Sequence, residues 1–258
     1  MTFVTETAAE LRRLVALTVS VLSRGGPSLL FSRIVHWYRY RAAQLQIDAV
    51  YGTDTVSKVA VGDLSAIGPN LSHAREYDPS PAFYFNAILS HLPIHYSEYV
   101  FADLGCGKGL TLMLASRFGF GRIIGVEFAS NVYNVALANL EKFRRRAGMA
   151  TPIQVILGDA AEFQPPTEPL VIYLYNPFGR EVMTKMLANL QASLSGHPRN
   201  CWIVYVNPVH HDLLQDCEFL VTHAACIRGE SRVPYALYVH GPSTGLPVGE
   251  TVCAAGSS

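Results

Sequence analysis

The sequence predicts an α/β fold: a doubly wound, mostly parallel seven-stranded sheet with an antiparallel last strand, preceded by a helical N-terminal extension. Three observations carry that reading. From residue 98 onward, short apolar runs alternate with stretches whose apolar residues recur at helical spacing. The runs are apolar throughout, as strands must be when helices cover both faces of a parallel sheet. Three glycines then stand at alternate positions in "ADLGCGKGL", residues 102–110, directly behind the first run.

The elements follow in order. Residues 1–50 read as helices broken at Gly25-Gly26-Pro27, residues 51–80 mostly as loop, and 82–92 as a short helix. "EYVFADL" is the first strand, and its glycine loop opens the apolar helix "LTLMLASRF". "GRIIGVEF" is the second strand. Ser130 is placed to cap the next helix, where Val132, Val135, Ala136, Leu140 and Phe143 repeat at helical spacing. "TPIQVILGD" and "PLVIYLY" are strands three and four, followed by a helix marked by Val182, Met186, Leu190 and Leu194. "CWIVYV" is the fifth strand, and "EFLVTHAAC" and "VPYALYVHG" are the last two. Their connection is too brief for a helical crossover, so the seventh strand should run antiparallel. The expected division is a helical extension over 1–95 covering the acceptor side, a binding domain over 96–245, and a flexible tail over 246–258.

Composition excludes several classes. The chain has 258 residues, half of them hydrophobic and 16% charged, which suits a packed core and not a disordered polymer. Twenty basic residues balance twenty acidic ones, which disfavours a nucleic-acid partner. The five cysteines are odd in number and never spaced as CxxC. They point to reduced thiols in a cytoplasmic setting, and away from zinc or a disulfide framework. "LVALTVSVL", residues 14–22, is too short to span a bilayer and reads as an amphipathic helix, with peripheral membrane contact as the lesser alternative. His210-His211 lacks a ligand cluster and reads as a surface pair, not a metal site. The basic run "KFRRRAG" sits where a helix ends and suits its dipole.

A glycine turn between a strand and a helix is where an open α/β sheet takes its ligand, with free N–H groups of the helix start facing it. A dinucleotide site expects G-x-G-x-x-G/A. Here the spacing is G-x-G-x-G, and Leu110 stands where the third small residue should be, so a nicotinamide cofactor is disfavoured. Lys108 is not set in G-x-x-x-x-G-K-[ST], which excludes a P-loop.

Four stretches in register, "FADLGCGKG", "GVEF", "GDAAEF" and "YLYNPFG", resemble the motifs of class I (seven-strand, Rossmann-like) S-adenosylmethionine-dependent methyltransferases, over roughly residues 98–240. The resemblance implies S-adenosyl-L-methionine as cofactor. Gly105, Gly107 and Gly109 would lie against its methionine part, and Asp103 would orient the loop and attract the cofactor's ammonium. Glu127 would accept from the ribose hydroxyls. Asp159 would accept from the adenine amino group, with the Ala160 N–H beside the ring. The plainer alternatives are a tight turn for the glycines, a cap or turn for Asp103, an exposed strand end for Glu127 and an Asx turn for Asp159. Lys108 is expected to point to solvent or to the cofactor carboxylate, and Cys106 to fill space in the loop.

"YNPFG", residues 175–179, is similar to the Asn-Pro-Pro-Tyr motif of enzymes that methylate amide or aromatic amino nitrogens, with one proline fewer and Phe for Tyr. The resemblance implies that Asn176 and the Pro177 carbonyl accept from the acceptor N–H while Phe178 packs against it; the alternative is a turn that closes the strand. "EYDPSPAFYF", residues 76–85, resembles the Tyr-x-Pro arm of seven-strand lysine methyltransferases, in which Tyr77 would cover the methionine end and aromatics 83–85 would line the acceptor channel. The plainer reading is a helix entry with two prolines. The function these readings imply is methyl transfer to an amine or amide nitrogen, such as a protein lysine. Alternatives are a small-molecule methyltransferase or a non-catalytic S-adenosylmethionine-binding protein. The transfer itself needs no dedicated base, and no metal is expected.

Overall fold

Seven apolar runs become seven strands. A computed structural model describes residues 45–57, 59, 62, 64–65, 80, 82–148, 150–226 and 233–241. The expected helices around Gly25–Pro27, Tyr77 and the expected tail lie outside the described residues. The chain divides into two compact units, Met1–Gln46 and Ile47–Ser258, and the described fold is that of the second.

After the helical residues 45–51 and a helix α1 (Ala82–Leu89), the chain runs β1 (Val100–Leu104), α2 (Leu110–Ala115), β2 (Arg122–Glu127), α3 (Ser130–Ala147) and β3 (Ile153–Leu157). It continues as β4 (Leu170–Tyr175), α4 (Arg180–Gly196), β5 (Cys201–Val206), α5 (His211–Gln215), β6 (Val221–Cys226) and β7 (Tyr235–His240). The sheet order is β3-β2-β1-β4-β5-β7-β6. β1 to β5 are parallel, and β7 runs antiparallel to both β5 and β6. This is the doubly wound sheet with an antiparallel last strand that the residue pattern predicts.

Alternation of side chains splits the core into two layers. Phe101 faces the layer that holds Phe85, Leu112, Trp202 and Val204. Val100, Ala102 and Leu104 face the other, with Ile172, Met183, Leu190 and Ile203. Burial of each such large apolar side chain stabilises the fold by about 1.5–3 kcal/mol. Phe85 is fully buried and meets the rings of Tyr173 at 5.1 Å and Phe101 at 5.8 Å, both edge-on. It is therefore core and does not line an acceptor channel, because the rings of Phe101, Phe118 and Tyr173 enclose it.

α3 buries Val132, Ala136, Leu140 and Phe143 and ends at Gly148 in the left-handed region (φ 61°), with Arg144, Arg145 and Arg146 in its last turn. Its N-cap is Ala129, without a side-chain cap. Ser130 is the first helical residue, and its hydroxyl donates to the Ser65 carbonyl at 2.8 Å. A long-range partner outcompetes the local cap.

The strand order reverses at β1. Crossovers lead one way through β2 and β3 and the other through β4 and β5, and a sheet so wound takes its ligand at that switch point, outside the carboxyl ends of the strands.

Candidate functional site

The site is built from strand ends. β1 ends at Leu104, and Gly105, Gly107 and Gly109 follow with φ of 90°, 54° and 84°, all left-handed. A Cβ on Gly105 would stand 2.7 Å from the Pro177 Cβ. The loop after β1 and the Asn176-Pro177-Phe178 turn after β4 therefore lie against each other, as neighbouring parallel strands require.

The loop's N–H groups are largely engaged by the protein itself. Gly105 and Cys106 both donate to the Val126 carbonyl, at 2.9 and 3.0 Å, and Gly109 donates to the Cys106 carbonyl at 3.0 Å. Gly107 donates to Glu127 Oε2 at 3.0 Å. The loop thus keeps the amides of Gly105, Cys106, Gly107 and Gly109 within the protein, while the expected ligand-facing N–H groups are those of the helix start at Leu110. The loop itself offers a bare, glycine-lined backbone surface held in shape by β2.

Glu127 is the centre of that arrangement. It ends β2 and is 5% exposed, and its Oε1 accepts from the Ala129 N–H at 2.9 Å. Burial pushes its carboxyl above the usual range, while the amides of Ala129, Gly107 and Phe128 pull the other way. Three amides are set against a carboxylate with roughly four acceptor positions, which leaves capacity for one further donor such as a hydroxyl.

Asp103 is buried one strand over and accepts from the Thr111 hydroxyl of α2. Burial pushes its carboxyl up to about 7, Thr111 opposes the shift, and the neighbouring Glu127 charge adds to it. An unfolded aspartate ionises near 3.8. Between about pH 4 and pH 7 the unfolded chain therefore releases a proton that the folded chain keeps. Asp103's contribution to stability is complete below the lower value and lost by the upper one, a change on the order of 3–4 kcal/mol. Asp103→Asn cannot ionise and keeps an oxygen for Thr111. Urea unfolding at pH 5 and pH 7.5 should show the variant gaining on the wild type by a few kcal/mol at the higher pH. A constant difference would contradict the assignment.

Asp159 follows β3 and caps the short turn Ala160–Glu162, accepting from the Ala161 N–H through Oδ1 at 2.8 Å. This is the Asx-type turn, and it places buried Ala160 on the same edge of the sheet. Asn176 adopts φ 42° at the end of β4, and its Oδ1 is buried with no hydrogen-bond partner among the described residues. Buried carbonyl oxygens nearly always find a donor. Phe178 is 7% exposed and packs into the core layer with Val182 and Met183, so it anchors the turn from below.

Lys108 departs most from expectation. It is 2% exposed, and its Nζ reaches Asp54 Oδ2 at 3.0 Å and the Ser57 hydroxyl. It turns towards a segment that the sequence reading treats only as loop. Asp48 organises that segment by accepting from Thr53, Thr55 and Val56. The run "DAVYGTDTVS" held the signal, since closely spaced Asp, Thr and Ser favour local capping turns. Its distant partner Lys108 could not be read from spacing.

The histidine pair is half-buried, not superficial: His211 Nδ1 bonds to the Tyr238 hydroxyl, and the His210 N–H donates to Tyr205 at 3.2 Å. Among the described residues, no group of three or more His, Cys, Asp or Glu could hold a metal. Cys106, Cys201, Cys217 and Cys226 are free thiols. No helix among the described residues is long and apolar enough to cross a membrane.

No family model and no curated protein matches the chain. Among solved structures, the chain is similar to Escherichia coli yhhF, which carries a provisional methyltransferase designation (15% identity, TM-score 0.49, 72% of this chain and 99% of that one). It is also similar to TrmK of M. capricolum, solved with S-adenosylhomocysteine (18% identity, TM-score 0.43, 62% of this chain and 67% of that one). A third is described as a predicted N6-adenine-specific DNA methylase from Listeria monocytogenes (14% identity, TM-score 0.47, 64% of this chain and 52% of that one). At these values the likeness says nothing of chemistry. The seven-stranded, Rossmann-like sheet stands on the strand order itself, and it is the sheet that the sequence motifs imply.

Proposed function

We propose that this chain is an S-adenosylmethionine-dependent methyltransferase acting on an amine or amide nitrogen, such as that of a protein lysine. The observation that carries the reading is the contact of two motifs: the Gly105 backbone lies against Pro177, so the donor loop and the acceptor turn share one crevice. The residues present fit such a donor. Glu127 retains acceptor capacity suited to ribose hydroxyls, Asp103 is a carboxyl that a nearby ammonium would ionise, and Asp159 with Ala160 stands where an adenine would lie.

When bound, the cofactor supplies a methyl group already activated by a sulfonium. The protein's task is then positional. The orphaned Oδ1 of Asn176 accepts from the acceptor N–H and aims the nitrogen lone pair into the crevice. Buried Phe178 fixes the turn that holds Asn176. An acceptor amine that arrives neutral needs no further base. In this reading residues 1–95 cover the acceptor side, with Tyr77 over the methionine end, and the scattered thiols belong to a reducing, cytoplasmic setting.

Transfer of a labelled methyl group into fractionated protein, RNA and small-molecule pools tests the proposal and identifies the acceptor class. Asn176→Ala should bind donor within about twofold of wild type while turnover falls roughly tenfold to a thousandfold. Loss of donor binding would place Asn176 in the cofactor site or the fold and overturn its acceptor role. Donor binding without transfer to any pool would favour a non-catalytic binding protein.

A further inference from the structure

The described residues between 48 and 65 meet α3 at successive points from its C-terminus to its N-terminus. Near the helix C-terminus, Arg146 donates to the Val50 carbonyl at 3.0 Å and the Tyr51 ring meets Phe143 at 4.7 Å. Midway, Asn139 exchanges two hydrogen bonds with the Asp54 backbone, at 2.8 and 2.9 Å. At the N-terminus, the Ser65 N–H donates to Asn131 at 3.1 Å, close to the end of β2 and Glu127.

The midpoint is joined to the glycine loop. Asn139 Nδ2 also donates to the Lys108 carbonyl at 3.0 Å, and Lys108 Nζ pairs with Asp54. Position 108 is therefore fixed at both its backbone and its side chain, between two glycines that are both left-handed. A buried cation is a poor device for stability alone, because desolvation offsets most of the attraction. Its worth is geometric. The pair sets one conformation of the loop, and the half-exposed Asp54 carboxylate neutralises the Lys108 charge beside a site meant for a cationic donor.

We propose that residues 48–57 form a strap that clasps the glycine loop in its donor-binding shape through the Asp54–Lys108 pair and the Asn139 amide, making Asp54 a positioning residue for the methyl donor. The inference rests on the glycine loop being the donor site.

Calorimetric titration with S-adenosylhomocysteine tests it on the full chain. Asp54→Asn and Lys108→Met should each weaken binding about tenfold, and the double variant no more than the weaker single one, the non-additivity expected of two residues acting through one contact. Amide exchange at residues 107–110 should quicken in all three variants, while that of the β5 core stays unchanged. If Asp54→Asn fails to fold, Ser57→Ala removes only the supporting hydroxyl and should weaken binding about threefold with loop exchange quickened. Binding within twofold of wild type in the folded variants, or effects that simply add, would overturn the strap alone. A wild-type chain that does not bind S-adenosylhomocysteine would overturn the donor-site reading and the strap together.

Discussion

Gly105→Ala will destabilise the protein by about 2–5 kcal/mol, and the damage will reach both functional loops. The new methyl would sit 2.7 Å from the Pro177 Cβ, and the backbone there has φ 90°, where an L side chain is strained. The conformational cost is about 1–2 kcal/mol, and the overlap adds about 1–3 kcal/mol because a proline ring cannot rotate away. Relief must come from moving either the β1 loop or the Asn176 turn. Urea unfolding should show the loss. In protein that remains folded, methyl transfer should fall further than donor affinity, since Val126 and Glu127 hold the glycine loop by hydrogen bonds while Asn176 Oδ1 has no partner among the described residues. Wild-type stability would mean that the loops do not pack as described.

Glu127→Ala will weaken S-adenosylmethionine binding by about 1–3 kcal/mol and lower stability by a similar amount. The two effects have separate causes. Affinity falls because a charged acceptor is lost from the ribose site. Stability falls because the Gly107 and Ala129 N–H groups lose their partner in a buried setting. Glu127→Gln distinguishes them: its carbonyl oxygen can serve only one of the two amides, while its NH2 faces the other. The glutamine variant should therefore stay destabilised while regaining part of the affinity. Unchanged donor affinity in a folded alanine variant would remove Glu127 from the site.

The fold was legible because its signal is local. β4 and β5 are apolar along their whole length and β1 is apolar but for Asp103, and the link before β7 is too brief for a helical crossover, so the direction of that strand could be inferred. The site was legible where chemistry is bound to backbone geometry: the glycines, the acid ending β2 and the Asn-Pro turn after β4 stand on one edge of the sheet. What escaped the sequence depends on distant partners. Ser130 matches a cap by local rules, yet Ser65 claims its hydroxyl. Lys108 matches a solvent-facing loop lysine, yet Asp54 holds it beneath the surface. Phe85 sits in an arm that resembles an acceptor channel, yet packing against Phe101 and Tyr173 buries it in the core. Each miss pairs a correct local propensity with a tertiary contact that outweighs it.

The central claim, that the crevice at the ends of β1, β2 and β4 takes S-adenosylmethionine, is tested most directly by calorimetric titration of the wild-type chain with S-adenosylmethionine and, separately, with NAD. One saturable site for S-adenosylmethionine is the predicted result, its affinity strengthening as pH rises towards and through 7 because the donor's ammonium pairs with ionised Asp103, whose proton is released to solvent. NAD should give no heat. Binding of NAD in place of S-adenosylmethionine, or no binding of the methyl donor at any pH, would contradict the account.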